Sequence, residues 1–428
     1  MNTSPESITA LVTDMGMKAK AASHALLGAS PKAKTDALLH LAHLLEKRQD
    51  AIYEANSLDL EAAEANGLSK PKIDRLRLTP KIVAEMADAC REIAAMPDIV
   101  GAMDSQWQRP NGLMVGRMRV PLGVVAMIFE SRPNVTVDSA ILCIKSGNAV
   151  ILRCGSESLN SSACLMKLVQ EALSMANLPP HAAQLVPVKD RAAVAALCSL
   201  DAYVDVMIPR GGEELIKAVS SQTTIPVLKH DKGVCHAYVD VTADLAAAVP
   251  VIVNAKAQRP STCNALECLL VQDTIAETLI ALLAPALQAA SVTVQACNAT
   301  LPLFKKALFP DVMPATEESF GTEFGNLTLA VKAVCSLDAA MEHIARYGSR
   351  HTECIFTRDH EAAQRFLREV DASMVAVNAS SRLNDGGQLG LGAEIGISTS
   401  KLHAYGPMGI HELTTTKFVV LGTHQIRE

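Results

Sequence analysis

The sequence predicts an α/β protein whose sheets are mostly parallel and covered by helices. Three observations lead there. Strand-like and helix-like runs alternate from Leu113 to Ala379, which is the pattern of repeated strand–helix–strand units. The strand-like runs, such as "GVVAMIF" and "NAVILR", are continuously apolar, as strands buried on both faces must be. The chain has 428 residues, more than one small core organises, so two or three domains are expected.

The first hundred residues read as helices. "KAKTDALLHLAHLLEKRQDAIYEAN" and "KIVAEMADACREIAAM" repeat apolar residues at three- and four-residue spacing. After Met103 the texture changes, and "LMVGRMRVPLGVVAMIFE" reads as strands around a Pro-Leu-Gly turn. "NVTVDSAILCIKSG" is a helix ended by Gly147, "NAVILRC" a strand, and "SESLNSSACLMKLVQEALSMANLP" a helix with Pro179 past its end. "AAQLVPV", "DRAAVAALCSL", "YVDVMIP", "GGEELIKAVSS" and "IPVLKH" continue as strand, helix, strand, helix, strand. A second α/β series starts at "HAYVDVTADLAAAVPVIVNAKA". It runs through "ECLLV", "TIAETLIALLAPALQAA", "LTLAVKAV", "SLDAAMEHIARYG", "ECIFTRD", "HEAAQRFLREV" and "SMVAVNA". "SSRLNDGGQLGLGAEIGIS" is a long Gly-rich loop, and "ELTTTKFVVLG" a last strand.

Composition narrows the function classes. Apolar residues make up 49% and charged residues 20%, an ordinary globular balance. The net charge is −6, no Lys/Arg run occurs and aromatics are 3%, so nucleic acid is not the expected partner. The N-terminus lacks the basic-then-apolar form of a signal peptide, and no apolar run is long enough for a membrane span. A soluble, cytoplasmic protein is expected. Its 11 cysteines should then be reduced thiols. Their spacing has no CxxC pair or zinc-type Cys/His grouping, so no metal is expected. Most, such as Cys164 and Cys198, read as small core residues.

Several positions carry chemistry, each with a plainer alternative. The fingerprint GxGxxG is absent from the first series. "GLGAEIG", from Gly390 to Gly396, has one residue too many and no strand–helix context. Arg210-Gly211-Gly212 lies between a strand and a helix, where backbone N–H groups attract phosphate, or else is a simple turn. Arg153 ends a strand at the edge where open α/β sheets bind ligands, or is a solvated strand end. Asn134 starts a helix, as an oxyanion donor or as a cap. Cys263 follows "QRPST" at a turn that would stabilise a thiolate. By composition alone a buried structural cysteine is the commoner outcome. Cys235, in "VCHAYVD", reads as a core cysteine that matters for stability more than for chemistry.

The segments "PLGVVAMIFESRPNVTVDSAILCIKSGNAVILR", "VLKHDKGVCHAYVD", "VNAKAQRPSTCNALE", "RYGSRHTECIFT" and "VNASSRLNDGGQLGLGAEIGISTSKLHAYGPMGIHELTT" resemble the gamma-glutamyl phosphate reductase family of the aldehyde dehydrogenase superfamily. The likeness runs from about Lys18 to the C-terminus. It implies an aldehyde dehydrogenase-like fold: two Rossmann-like three-layer α/β/α domains plus a small β oligomerisation flap. Residues 1–105 and 122–230 would bind the dinucleotide. Residues 231–380 would carry the nucleophile, and 106–121 with 381–428 would form the flap and C-terminal segment. The flap would join strands near Leu113 to Val120 with Thr414 to Leu421.

The resemblance also implies site roles. Cys263 matches the nucleophile and Asn134 the oxyanion donor. Arg153, Ser156, Arg210, Gly211, Gly212 and Glu323 match cofactor contacts, the cofactor being NADPH/NADP. Lys229, Arg259, Arg382 and Lys401 are candidate cations for the substrate; for the last three a surface or interface charge is the alternative. The implied reaction reduces L-glutamyl 5-phosphate to L-glutamate 5-semialdehyde with release of phosphate, in proline biosynthesis. A CoA-acylating relative is the alternative. A homo-oligomer is expected, with a glutamate 5-kinase as the partner that supplies the substrate. One departure bears on chemistry. Hydrolytic relatives place a glutamate where this chain has "VLKHDKG", with Lys229 or His230 instead. That favours reduction over hydrolysis.

Overall fold

A computed structural model describes residues 4–230 and 232–427. The chain divides into two compact units, one of Met1–Lys229, Gly390–Gly396 and Met408–Glu428, the other of His230–Leu389 and Ile397–Pro407.

The first unit begins with helices Pro5–Leu26, Pro31–Lys47, Gln49–Ala65 and Pro80–Ala95. Three of these starts repeat one device. Ser4, Ser30 and Thr79 each stand before a proline, and each hydroxyl accepts the N–H three residues on. The proline loses nothing there, since its missing N–H would have had no helical partner. The unit's parallel sheet has the order Ala183–Leu185, Ala149–Arg153, Val124–Phe129, Val206–Arg210. Val124, Ala126 and Ile128 face Ile8, Val12 and Leu197 in one core. On the other face Met127 accepts from the Ser139 hydroxyl of helix Val135–Lys145. Both faces are therefore buried, which is why these strands read as unbroken apolar runs.

The same unit carries an antiparallel sheet of Met103–Gln108, Met114–Pro121 and Thr414–Leu421. Its last two strands are the pair expected for the flap. Met103–Gln108 was not foreseen: all six residues are exposed, so no apolar periodicity marks it. "IPVLKH", read as a strand, forms only a single parallel bridge, Met207 to Val227.

The second unit is a seven-stranded parallel sheet. Its order is Val312–Pro314, Thr293–Ala296, Thr328–Val334, Leu266–Gln272, Cys235–Val239, Thr352–Phe356, Met374–Val377. Helices Leu245–Ala257 and Ala276–Ala289 close one core with Val239, Leu269 and Val331. Helices Leu337–Tyr347 and His360–Glu369 close the other with Tyr238, Leu270 and Ile355. Two parallel sheets, each layered by helices, meet the expected fold class. Among the described residues no helix is long and apolar enough to cross a membrane.

Candidate active site

In the first unit, strand register gathers the predicted cofactor segments at one sheet edge. Ile128 lies opposite Arg153 and Phe129 opposite Arg210, so the chain leaves three neighbouring strands together. Arg153 donates from Nη1 to the Cys154 carbonyl at 2.8 Å and from Nη2 to the Lys189 carbonyl at 3.2 Å. Its Nε is buried without a hydrogen-bond partner, a donor that burial leaves unsatisfied. Ser156 is exposed and opens a short 3₁₀ turn. Arg210 approaches Glu394 at 4.0 Å. A side chain at Gly211 would meet Leu215 at 2.7 Å and the Glu130 carboxylate at 2.9 Å. Gly212 caps helix Glu213–Gln222 with open space beside its Cα, and its N–H donates to Glu130 at 3.4 Å. This edge offers a helix N-terminus and two arginines, the chemistry a dinucleotide's phosphates need.

Asn134 occupies the cap position of helix Val135–Lys145, yet its side chain does not cap. Its amide donates instead to Asp138 at 3.0 Å. Burial pushes the Asp138 carboxyl up to about 6, against the lowering pull of Arg210, the Asn134 amide and Arg132. A carboxyl raised on folding binds its proton more tightly in the native state. Its contribution to stability is full below the unfolded value and is lost as pH rises through 6. Replacing Asp138 by Asn should flatten the fall in melting temperature between pH 4.5 and 7, read against wild type. An unchanged difference between the two pH values would show that Asp138 is solvated.

In the Gly390–Gly396 segment, Gly392 serves packing. Gly392 has φ +72°, and a side chain there would strike Met96 and Ile93 at 2.7 and 2.8 Å. The glycine permits close packing on helix Pro80–Ala95.

In the second unit, Cys263 sits in the loop between helix Leu245–Ala257 and strand Leu266–Gln272. The Thr262 hydroxyl and N–H donate to the Arg259 carbonyl at 2.8 and 3.3 Å, and the Ala265 N–H to the Thr262 carbonyl at 2.9 Å. These bonds fold the loop tightly, leaving Cys263 half-buried. Gly233 lies directly against it. A Cβ on Gly233 would stand 2.1 Å from the Cys263 carbonyl oxygen and 2.6 Å from its Cα. The Gly233 N–H donates to Glu323 Oε2 at 2.9 Å, so Gly233 joins the Glu323 loop to the cysteine loop. The Glu323 loop is anchored in turn: the Gly325 N–H donates to Glu267 at 3.3 Å, and Glu267 pairs with Lys256 at 2.6 Å, both buried. Burial pushes the Glu267 carboxyl up and the Lys256 ammonium down.

Of the candidate cations, Arg382 is tied to the cysteine loop. Its Nε donates to Gln258 at 2.9 Å and its Nη1 to the Asn264 side chain. Burial lowers its basicity, and Arg259 adds to that effect. Arg259 itself is exposed at the loop's start. Lys401 is held elsewhere, in an exposed pair with Asp371 at 2.7 Å. Lys229 is half-buried at the end of the first unit.

Sequence reasoning missed Gly233 and Asn264. Each acts through a contact with a residue distant in sequence, and "KG" before a strand reads as an ordinary turn. Nor did spacing reveal that His236, Cys268 and His343, all buried, bring potential ligand atoms within 4.8 Å of one another. They form a polar chain. Glu353 accepts from the His236 N–H at 2.8 Å and lies 3.2 Å from its Nδ1, and Cys268 Sγ lies 3.8 Å from His343 Nε2. Lys332 Nζ sits 3.3 Å from His343 Nδ1. An ammonium there needs the Nδ1 lone pair, which leaves the proton on Nε2 and makes that nitrogen a donor to sulfur rather than a metal ligand.

Residues 2–319 match the model of the aldehyde dehydrogenase family. The solved gamma-glutamyl phosphate reductase of Thermotoga maritima superposes with a TM-score of 0.93 at 43% identity, over 97% of this chain and 100% of that one. An engineered glycolyl-CoA reductase with bound NADP+ shares the fold at TM-score 0.67 and 16% identity, over 96% of each chain. The family model spans most of the chain and the fold agrees with it, so the chain belongs to the aldehyde dehydrogenase family. Over 421 residues the chain is 61% identical to gamma-glutamyl phosphate reductase of Nitratidesulfovibrio vulgaris, covering 98% of this chain and 100% of that protein. The chain belongs to the gamma-glutamyl phosphate reductase family.

Proposed function

We propose that this chain is a cytoplasmic enzyme of proline biosynthesis that reduces L-glutamyl 5-phosphate to L-glutamate 5-semialdehyde with NADPH, releasing phosphate. The observation that carries the reading is full-length identity, 61% over 421 residues, with a protein named for that activity. The clamped Cys263 loop supports it. Residues 231–380 carry the nucleophile, residues 1–105 with 122–230 hold the cofactor, and 106–121 with 381–428 make the flap of a homo-oligomer. A glutamate 5-kinase is the fitting supplier of the acyl phosphate.

The Cys263 thiolate attacks the acyl carbon, the carbon–oxygen bond to phosphate breaks, and a thioester forms with phosphate as leaving group. A nicotinamide cofactor held by Arg153, Arg210 to Gly212 and Glu323 would supply the hydride that reduces the thioester. The thiohemiacetal oxyanion then re-forms a carbonyl, the carbon–sulfur bond breaks, and aldehyde and thiolate separate. Asn134 and the Cys263 N–H are the donors assigned to the oxyanion, each worth about 2.7–4 kcal/mol of barrier. Arg382 and Arg259 are assigned to the substrate's anionic groups. Lys229 is assigned to the phosphate, and Lys401 is the weakest of the four because Asp371 engages it. Arg153, Ser156, Arg210, Gly211, Gly212 and Glu323 are assigned to the cofactor. The unpartnered Arg153 Nε fits an anionic dinucleotide.

The test is NADP reduction in the reverse direction, with semialdehyde and phosphate. Phosphate-dependent turnover is expected. Turnover that needs CoA instead would assign the chain to a CoA-acylating activity. Arg153→Ala should raise KM for NADPH about 10–100-fold and KM for NADH much less, since a lost charge-assisted contact costs about 1.5–3 kcal/mol. Equal changes for both cofactors would remove Arg153 from the 2′-phosphate.

A further inference from the structure

Behind Cys263 lies a closed circuit of polar contacts, all within the second unit. Cys235 Sγ donates to the Cys263 carbonyl at 3.2 Å and lies 3.9 Å from His351 Nδ1. The same Nδ1 is 2.7 Å from the Thr352 hydroxyl, which accepts from Asn384 Nδ2 at 2.8 Å. The Asn384 carbonyl accepts from Asn264 Nδ2 at 2.9 Å, and Asn264 follows Cys263 in the chain. Cys235, His351, Thr352 and Asn384 are 0% exposed and Asn264 4%. The Ser381 hydroxyl adds a bond to the Asn264 carbonyl at 2.7 Å.

Thr352 Oγ1 accepts from Asn384 Nδ2 and shares a second hydrogen bond with His351 Nδ1. Burial and the nearby His230 push His351 down to about 3, so it stays neutral. His351 Nδ1 lies 2.7 Å from the Thr352 hydroxyl but 3.9 Å from Cys235 Sγ, so the Cys235 thiol donates to the nearer Cys263 carbonyl, at 3.2 Å. Burial, with Glu353 and Cys263, pushes the Cys235 thiol well above its ordinary value, so it remains a donor at working pH.

We infer that Cys235 is a positioning residue for the nucleophile: backed by His351, Thr352 and Asn384, it holds the Cys263–Asn264 peptide so that the Cys263 thiolate and N–H keep their working directions. The inference rests on Cys263 being the nucleophile, and it gives Cys235 a part beyond the core role its strand suggests. Buried polar circuits of this kind specify one arrangement, because a half-broken circuit leaves unsatisfied groups in a low-dielectric interior. A shift of about 1 Å in a reacting group costs about 100-fold in rate.

The experiment compares Cys235→Ala with Cys235→Ser, which retains a donor, and with Thr352→Val, which breaks the circuit one contact further back. The readouts are kcat, both KM values and amide hydrogen exchange of the 262–266 segment. Cys235→Ala should lower kcat about 10–100-fold with both KM values within about twofold, and speed exchange of that segment at least about tenfold. Cys235→Ser should recover most of both losses, and Thr352→Val should show the same pattern more weakly. Wild-type kcat and exchange in Cys235→Ala would overturn the inference. So would a serine variant as impaired as alanine, which would assign the effect to packing. If Cys235→Ala does not fold, Thr352→Val decides by the same two readouts. If wild type does not turn over semialdehyde with phosphate, the proposed reaction fails, and the exchange comparison still decides whether Cys235 holds the loop.

Discussion

Cys263→Ser should abolish turnover, by at least about 10³-fold, while leaving NADPH binding and melting temperature near wild type. Losing a covalent nucleophile removes the step that divides a difficult transfer into two easier ones, and such losses reach about 10⁶ in kcat. A serine hydroxyl does not ionise near neutral pH, so it needs a base to accept its proton. The loop's neighbours are poorly suited to that task. Glu323 accepts from the Gly233 N–H, and the Arg382 guanidinium is a cation spread over Gln258 and Asn264. The buried Glu267 carboxylate is held by Lys256. Because Cys263 is only half-buried and oxygen is smaller than sulfur, the exchange should fold without strain. Stopped-flow single turnover, cofactor titration by fluorescence and thermal unfolding separate these effects. More than a few per cent of wild-type kcat in the serine variant would dismiss Cys263 as nucleophile.

The sheets were legible because burial on both faces writes itself into sequence. Val124–Phe129 is apolar throughout and Leu266–Gln272 at five of its seven positions, and each has a strand on both sides. The segment from Ser291 to Asn326 was not legible. Its strands Thr293–Ala296 and Val312–Pro314 have four and three residues, and its helix Leu301–Lys306 has six. No periodicity develops over such lengths. "IPVLKH" failed as a strand for a local reason: Pro226 has no N–H to give a ladder, and only its carbonyl, accepting from Met207, and the Leu228 N–H are used. At the site, the resemblance singled out Cys263, which composition had left among ten other cysteines. It did not reach Gly233, Cys235 or Asn384. Their roles arise when strands distant in sequence become neighbours, as Cys235–Val239 does with both Leu266–Gln272 and Thr352–Phe356.

Gly233→Ala should be the most damaging change that removes no functional group. The added Cβ would lie 2.1 Å from the Cys263 carbonyl oxygen, 2.6 Å from its Cα and 2.7 Å from its carbonyl carbon. All three are backbone atoms, so no side-chain rotation relieves the clash. Either the chain entering strand Cys235–Val239 retreats, or the cysteine loop does. Retreat of the strand entry also strains the Gly233 N–H bond to Glu323 at 2.9 Å, and retreat of the loop moves the nucleophile itself. Overpacking of this kind costs about 1–3 kcal/mol of stability. A nucleophile displaced by about 1 Å loses about 100-fold in rate, so kcat/KM should fall at least that far. Gly321→Ala is the control, because its added methyl would meet only Tyr347, at 3.7 and 3.8 Å, which is ordinary contact. Urea unfolding and kcat/KM measured on both variants separate a general glycine effect from the specific approach at Cys263. A Gly233→Ala enzyme with wild-type kcat/KM and stability would show that the cysteine loop does not rest against this glycine in solution.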